Sequence, residues 1–170
     1  MSRRTRRGSV PSGALGVGER ILQTLWVGSL WSTGFVVAPA LFQLLDRAQA
    51  GMVAGRLFTL VAWLGLACGL LLLIGAWMRG DGGLAHRWRR RVVAAMLAGT
   101  AAGLWLIQPR LAELKASGLL PGSAEAAAFA RLHAVSSAVY LVVSLLGLLL
   151  VALEGPGRER GGDGDLSGAD

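Results

Sequence analysis

Charged residues punctuate this chain and do not pervade it. Four windows lack Asp, Glu, Lys and Arg altogether: residues 21–45, 57–78, 92–108 and 133–153, which are 25, 22, 17 and 21 residues long. Leu, Ala, Val and Gly run through them without any alternation of polar and apolar positions. A helix rises about 1.5 Å per residue, so roughly 20 residues cross a ~30 Å hydrocarbon layer. The pattern predicts four transmembrane helices, the short third one extending through Pro109 toward Leu114. The expected fold is all-α, an integral membrane four-helix bundle over residues 20–153. A basic segment, 1–19, precedes it, and a Gly/Asp/Arg-rich segment, 154–170, follows; both are expected to be disordered tails. The stretch 109–132 reads as the long loop before the last span, broken by Gly118 and Pro121-Gly122, with Ser123 as N-cap.

Two other architectures fail on the same pattern. A soluble chain of 170 residues has too little interior to bury four helices that are apolar all round. A transmembrane barrel requires alternation along each strand, and these runs are continuous.

Composition agrees: 54% of residues are hydrophobic and the mean hydropathy is +0.55. A net charge of +7 and a pI near 11.4 raise the question of nucleic acid. The placement of charge answers against it. Arg3, Arg4, Arg6, Arg7 and Arg20 precede the first span, Arg79, Arg87, Arg89, Arg90 and Arg91 separate the second and third, and Arg158 and Arg160 follow the fourth. One side therefore carries 12 of the 17 basic residues, and Arg47, Arg56, Arg110, Lys115 and Arg131 are left for the other. The positive-inside rule then puts both termini in the cytoplasm, with anionic lipid headgroups as partners of the basic segments. Ser2-Arg3-Arg4 and Ala38-Pro39-Ala40 have the outline of a cleaved signal, but the apolar stretch between them is too long for one. Trp26, Trp77 and Trp88 fall at the inner interface on this topology, Trp63 and Trp105 at the outer one, and Trp31 in mid-membrane. Cys68 lies mid-span, where a buried, inert thiol is expected.

The polar residues left inside the spans are the candidates for chemistry. In the last span His133, Ser137, Tyr140, Ser144 and Gly147 recur at spacings of four, three, four and three, one face of a helix. Gly28, Ser29, Ser32, Thr33 and Gly34 offer a polar partner in the first span. Such residues usually face the bundle, although hydroxyls serve equally as helix glue or bond back to their own turn. Arg56, Arg110 and Glu113 sit at the same membrane end, and Arg110 and Glu113 are three apart, close enough to pair. Pro39 and Pro109 each remove a helical N–H and free the carbonyl four residues earlier, Phe35 or Trp105. Gly65 and Gly69 in span 2, and Ala95, Gly99 and Gly103 in span 3, are spaced for close helix packing. His133 suits an interfacial hydrogen bond, a proton or ligand role, or a metal. His86 is expected on the opposite side and Cys68 deep in the membrane, so no metal site is expected and His133 lacks companion ligands. A haem held by a single His, or copper, is the alternative cofactor. Nothing resembles a nucleophile–base pair or a phosphate loop, so enzymatic activity is not expected.

The stretches LWVGSLWSTGFVVAPALFQLL, AGRLF, QPRLAEL and FARLHAVSSAVYLVV, spread over residues 20–153, together resemble the family built on domain of unknown function 4149. That family includes the eukaryotic transmembrane protein 205. The Pro-Arg pair after span 3, and the Arg-x-His with Ser-Ser opening span 4, carry the likeness most specifically. The resemblance implies a compact four-span membrane protein and brings no settled activity. Some members carry Asn shortly after the serines, where this chain has Tyr140, so the polar site does not transfer residue for residue. The Arg excess over the single Lys115 points to a bacterial source and a cytoplasmic membrane.

These features lead to a non-enzymatic protein that binds or passes a small solute or ion at an outward-facing polar site. The site residues would be His133, Ser137, Tyr140, Ser144, Arg110, Glu113, Arg56 and Pro39. A structural or assembly subunit, using the same face to contact a membrane protein partner or a second copy, is the competing class. A haem- or copper-handling protein is the third.

Overall fold

The computed structural model describes residues 12–78 and 84–152, with side chains for 16–78 and 87–152; the remainder of both expected tails lies outside the described residues. Every described element is helical. The first span is α1 (Ser12–Trp31), a π-helical turn (Ser32–Val37) and α2 (Ala38–Leu44) in unbroken succession. The second is α3 (Arg47–Met78), a single helix of 32 residues. The third is α4 (Leu84–Ala102), a second π-helical turn (Gly103–Ile107) and α5 (Gln108–Ala116), and the fourth is α6 (Ala124–Ala152). Four helices are thus long and apolar enough to cross a membrane, over Gly16–Leu44, Arg47–Met78, Arg87–Ala116 and Ala124–Ala152.

The helices outrun the charge-free windows, and two expectations change. Residues 12–19 are helix, not tail. The loop expected over 109–132 shrinks to 117–123, because Gln108–Ala116 continues the third helix and Ala124 starts the fourth. Charged residues end a hydropathy window, but nothing about them ends a helix: Arg110, Glu113 and Lys115 are good helix formers once their side chains reach water or headgroups. What ends α5 is glycine. Gly118 and Gly122 have φ of +85° and +83°, the left-handed region that side-chain-bearing residues avoid. Ser123 caps α6 as expected, accepting a bond from the Ala126 amide at 3.1 Å.

Both π-helical turns stand two residues before a proline. The amide of Ala38 bonds the carbonyl of Thr33, and that of Gln108 bonds the carbonyl of Gly103, each reaching five residues back. Pro39 and Pro109 have no N–H to give, so the helix loses one bond at each and the preceding turn widens. The result is a hinge in the first span and another in the third, both in the half of the bundle that holds α2 and α5. This half is the hinge end. The other, with the start of α1, the end of α3 and the arginines of α4, is the basic end.

The four spans form a ring in which α1 packs between α3 and α6, and α4 between the same two helices on the opposite side. At its centre lie Trp26, Met96, Ser144 and Leu150, all essentially inaccessible. The glycines decide what reaches that centre. A Cβ on Gly65 would run into Trp26 Nε1, and one on Gly69 would stand 2.7 Å from Trp26 Cη2. The α3 glycine pair is therefore a groove for an indole. Trp26 is in the core and not at the interface, a correction that follows from this groove: the ring finds more contact there than at headgroup depth. Gly99 receives Val143 of α6, and Gly147 receives Val27 of α1. Gly103 has open space beside it, and Ala95 is exposed, so of the span 3 ridge only Gly99 makes a close approach. Outward-facing positions are apolar, for example Val36 at 65%, Leu60 at 65% and Leu106 at 68% exposure, as a bilayer-facing surface requires.

Candidate functional site

The expected stripe on α6 divides in two. Its lower part is interior: Tyr140 is half-buried, and Ser144 and Gly147 are buried. Its upper part is not. His133 and Ser137 are exposed, Ser137 Oγ bonds the His133 carbonyl of its own helix at 3.0 Å, and the His133 ring stacks on Phe129 at 6.0 Å. The buried seam of α6 follows Val139, Val143, Leu146 and Leu150, a spacing near 3.5, and the polar stripe runs beside it. A flanking stripe is covered only where a second helix leans on it. At 140–147 that helix is α1; higher up, the first span has passed its hinge into α2, which packs on α3 and not on α6.

The charged candidates gather at the hinge end without forming a pocket. Arg110 Nε and Glu113 Oε2 are 4.0 Å apart with side chains 76% and 72% exposed, a pair worth little in either solvent or headgroups. Arg56 and Pro39 are exposed. Among the described residues His133 forms no ion pair with Glu113; its neighbour is aromatic. Lys115, absent from the sequence candidates, stands over the opposite partner of that stack, its Nζ 5.8 Å from the Phe129 ring centre. No group of three His, Cys, Asp or Glu side chains among the described residues is placed to hold a metal ion.

The polar groups that do converge surround the first hinge. The Tyr140 hydroxyl donates to the Leu30 carbonyl at 2.5 Å and lies against the Gly34 backbone, where a Cβ would come within 2.6 Å of the ring. Leu30 and Gly34 are four residues apart, the pair that bonds together in an uninterrupted α-helix. The tyrosine therefore occupies the junction where α1 gives way to the wider turn. Phe58 of α3 meets the same ring edge-on at 5.0 Å, so two spans touch this one side chain of a third. One turn further along α6, the Ser144 carbonyl accepts a bond from Trp31 Nε1 at 3.2 Å, while Ser144 Oγ is fully buried with no partner among the described residues. Thr33, in the widened turn itself, is 8% exposed. The other span hydroxyls behave as helix glue: Ser29 Oγ bonds the Trp26 carbonyl, Thr59 that of Gly55 and Thr100 that of Met96.

A second polar cluster lies at the basic end, outside the sequence candidates. Glu19 of α1 and Arg89 of α4 form an ion pair at 3.1 Å, with side chains only 15% and 19% exposed. Gln23, one turn along α1, is buried at 3%. Both charges border apolar windows and so read as ordinary flanking charges. The available signal was on α1: Glu19, Gln23, Trp26, Leu30 and Thr33 repeat at four, three, four and three, as the α6 stripe does.

Four long apolar helices, lipid-facing side chains outside and polar groups held within define an integral membrane protein of the four-helix class. Residues 21–120 match the family described as Domain of unknown function (DUF4149), and the chain belongs to that family. The match ends before α6, so the Arg-x-His and Ser-Ser of that helix lie outside it. No curated protein and no solved structure matches the chain.

Proposed function

We propose that this is a non-enzymatic, transmembrane protein 205-like protein of a bacterial cytoplasmic membrane that binds or passes a small hydrogen-bonding solute or ion. The basic end faces the cytoplasm, and the site is the interior group Tyr140, Ser144 and Thr33, reached from the opposite side between α2 and α6. The observation that carries this reading is the Ser144 hydroxyl, buried and unpartnered beside a tyrosine that holds a hinge. A buried hydroxyl left unsatisfied in hydrocarbon costs about 1–3 kcal/mol, which a bound polar molecule or water recovers. The twin hinges supply the movement that access requires, since widened and proline-broken turns are where helices bend. Arg56, Arg110, Glu113, Lys115 and His133 then form the polar rim, not the site.

Purified protein in lipid nanodiscs, screened by thermal shift against small solutes and ions, tests the proposal. A compound that raises Tm for the parent and not for Ser144→Ala or Tyr140→Phe supports it. A screen in which every compound acts alike on all three proteins sinks it.

One observation favours the assembly-subunit reading. A groove of about 310 Å³ between α4 and α6, lined by Ala95, Gly99, Ala138, Val139, Val142, Val143 and Leu146, faces the membrane and suits a partner helix. A stoichiometric protein copurifying from native membranes, lost on substitution of the exposed groove residue Ala138→Leu, supports that class. The haem or copper alternative rests on His133 and predicts visible absorbance or bound metal that His133→Gln abolishes.

A further inference from the structure

The solute reading places an interior group and an entrance, and leaves the charge of the ligand open. The residues between the two bear on it. Ile107 and Leu111 of the third span are buried, and Lys115 follows at the same spacing of four. The lysine therefore crowns the inward face of that span. Its Nζ lies 3.9 Å from where a Cβ on Gly51 of α3 would stand, and 5.8 Å from the Phe129 ring centre of α6. A side chain of α5 that reaches both helices crosses the mouth of the bundle and does not point out to lipid.

Space lies beneath it. Gly55, one turn deeper than Gly51 on the same face of α3, is half-buried, yet a Cβ there would meet nothing within 4 Å. On the next turn Phe58 meets Tyr140 edge-on, and Ser144 lies one turn below Tyr140 on α6. The way in from the lysine thus ends at the interior group.

The chemistry along this line has one sign. The four apolar windows contain no Asp or Glu, so a cation inside would have no counter-charge. Trp26 Nε1 and Ser144 Oγ are buried without a partner among the described residues; the first is a donor only, and the second can donate. Among the described residues no carboxylate pairs with Lys115: Glu113, two residues away, pairs with Arg110. A cation at the mouth and donors within suit an acceptor of one negative charge, since a single ammonium compensates one charge and no more.

We propose that Lys115 forms, at the mouth of the bundle, a binding site for a small monovalent anion, the class of ligand that the interior group receives. The inference rests on the preceding reading for the interior group, and adds the ligand's class and the residue that selects it.

Chloride, bromide and nitrate are the probes, with sodium gluconate, a larger anion, holding the ionic strength constant. Full-length protein in phosphatidylcholine nanodiscs is followed by thermal unfolding as each anion replaces gluconate. The parent Tm should rise saturably with at least one of the three. Exchange of sodium for potassium or caesium, or addition of acetamide as a neutral acceptor, should leave it unchanged. Lys115→Gln should raise the midpoint concentration roughly tenfold, the loss of one charged contact. Lys115→Arg should stay close to the parent. So should Arg131→Gln, which removes an exposed charge from the same end and would match Lys115→Gln if net charge alone were at work. Equal anion shifts in the parent and Lys115→Gln overturn the inference, as does the absence of any response to the three anions. A response to acetamide or a cation alone, abolished by Ser144→Ala, overturns it and keeps the solute reading. Anion binding weakened by Lys115→Gln but unchanged in Ser144→Ala and Tyr140→Phe does the reverse: the site at the mouth stands and the interior reading falls.

Discussion

The hydroxyl of Tyr140 on α6 donates to the carbonyl of Leu30 on α1, at the last α-helical turn before the first span widens into its π-helical turn. The bond joins two helices at a hinge, where the backbone has carbonyl groups to spare. Its loss should loosen the hinge more than the fold. Tyr140→Phe keeps the ring against Gly34 and Phe58, and should cost about 0.5–1.5 kcal/mol, the range for one interhelical hydrogen bond. Reversible unfolding in mixed micelles measures it. A loss above the single-bond range would show that the tyrosine organises more than this contact.

Gly34 should be less forgiving than the tyrosine it seats. A Cβ there would lie 2.6 Å from Tyr140 Cε1, an atom that Phe retains. Gly34→Ala should therefore destabilise by about 1–3 kcal/mol, as overpacking does, and Tyr140→Phe should not rescue it. Tyr140→Leu in the same background should recover part of the loss. Rescue by Phe would place the strain at the hydroxyl.

The α3 glycine pair and Gly28 of α1 predict opposite outcomes from the same substitution. Gly65→Ala and Gly69→Ala push a methyl into the Trp26 indole and should each cost about 1–3 kcal/mol. Gly28→Ala meets nothing within 4 Å in a regular helix, and should be neutral or stabilising by about 0.5–1 kcal/mol. Thermal unfolding of the three variants side by side checks the contrast. Equal effects would mean that the indole does not occupy the groove.

Pro39→Ala returns an N–H to the first hinge and removes the reason for its wide turn. Amide hydrogen exchange over residues 34–44 should slow in this variant, with little change in α3 or α6. Unchanged exchange would assign the hinge to the Tyr140 contact instead.

Single cysteines at Ser9 and Ser117, in a Cys68→Ser background, test the orientation that the 12-to-5 partition of basic residues implies. An impermeant thiol reagent should label only Ser117→Cys in intact cells. Labelling of Ser9→Cys alone inverts the membrane orientation and moves the entrance to the cytoplasmic side.

The number of spans and their helical character were legible in the sequence, and for one reason. Hydrocarbon leaves no backbone polar group a partner outside its own helix, so each charge-free window had to be a helix whatever its neighbours did. Ser123 as a cap was readable on the same local terms. The proline sites were visible too, but not the widened turns before them, whose hydrogen bonds depend on how the flanking helices are held.

Which residues face inward was not readable. In water, burial sorts apolar from polar and leaves a periodic trace along a helix. In a bilayer both sides of a helix are apolar, so a stripe such as His133, Ser137, Tyr140, Ser144 marks a face without saying what covers it. Packing made that decision: α1 covers Tyr140 and Ser144, while α2 packs on α3 and leaves His133 and Ser137 outside. Packing likewise turned Trp26 from the interface into the core by offering it the cleft at Gly65 and Gly69, and joined Glu19 to Arg89 across 70 residues of chain. The sequence determined that this chain has four helices long and apolar enough to cross a membrane, because lipid imposes that locally. The tertiary structure decided which polar groups meet, because pairing between helices depends on their relative rotation, and no single helix carries that information.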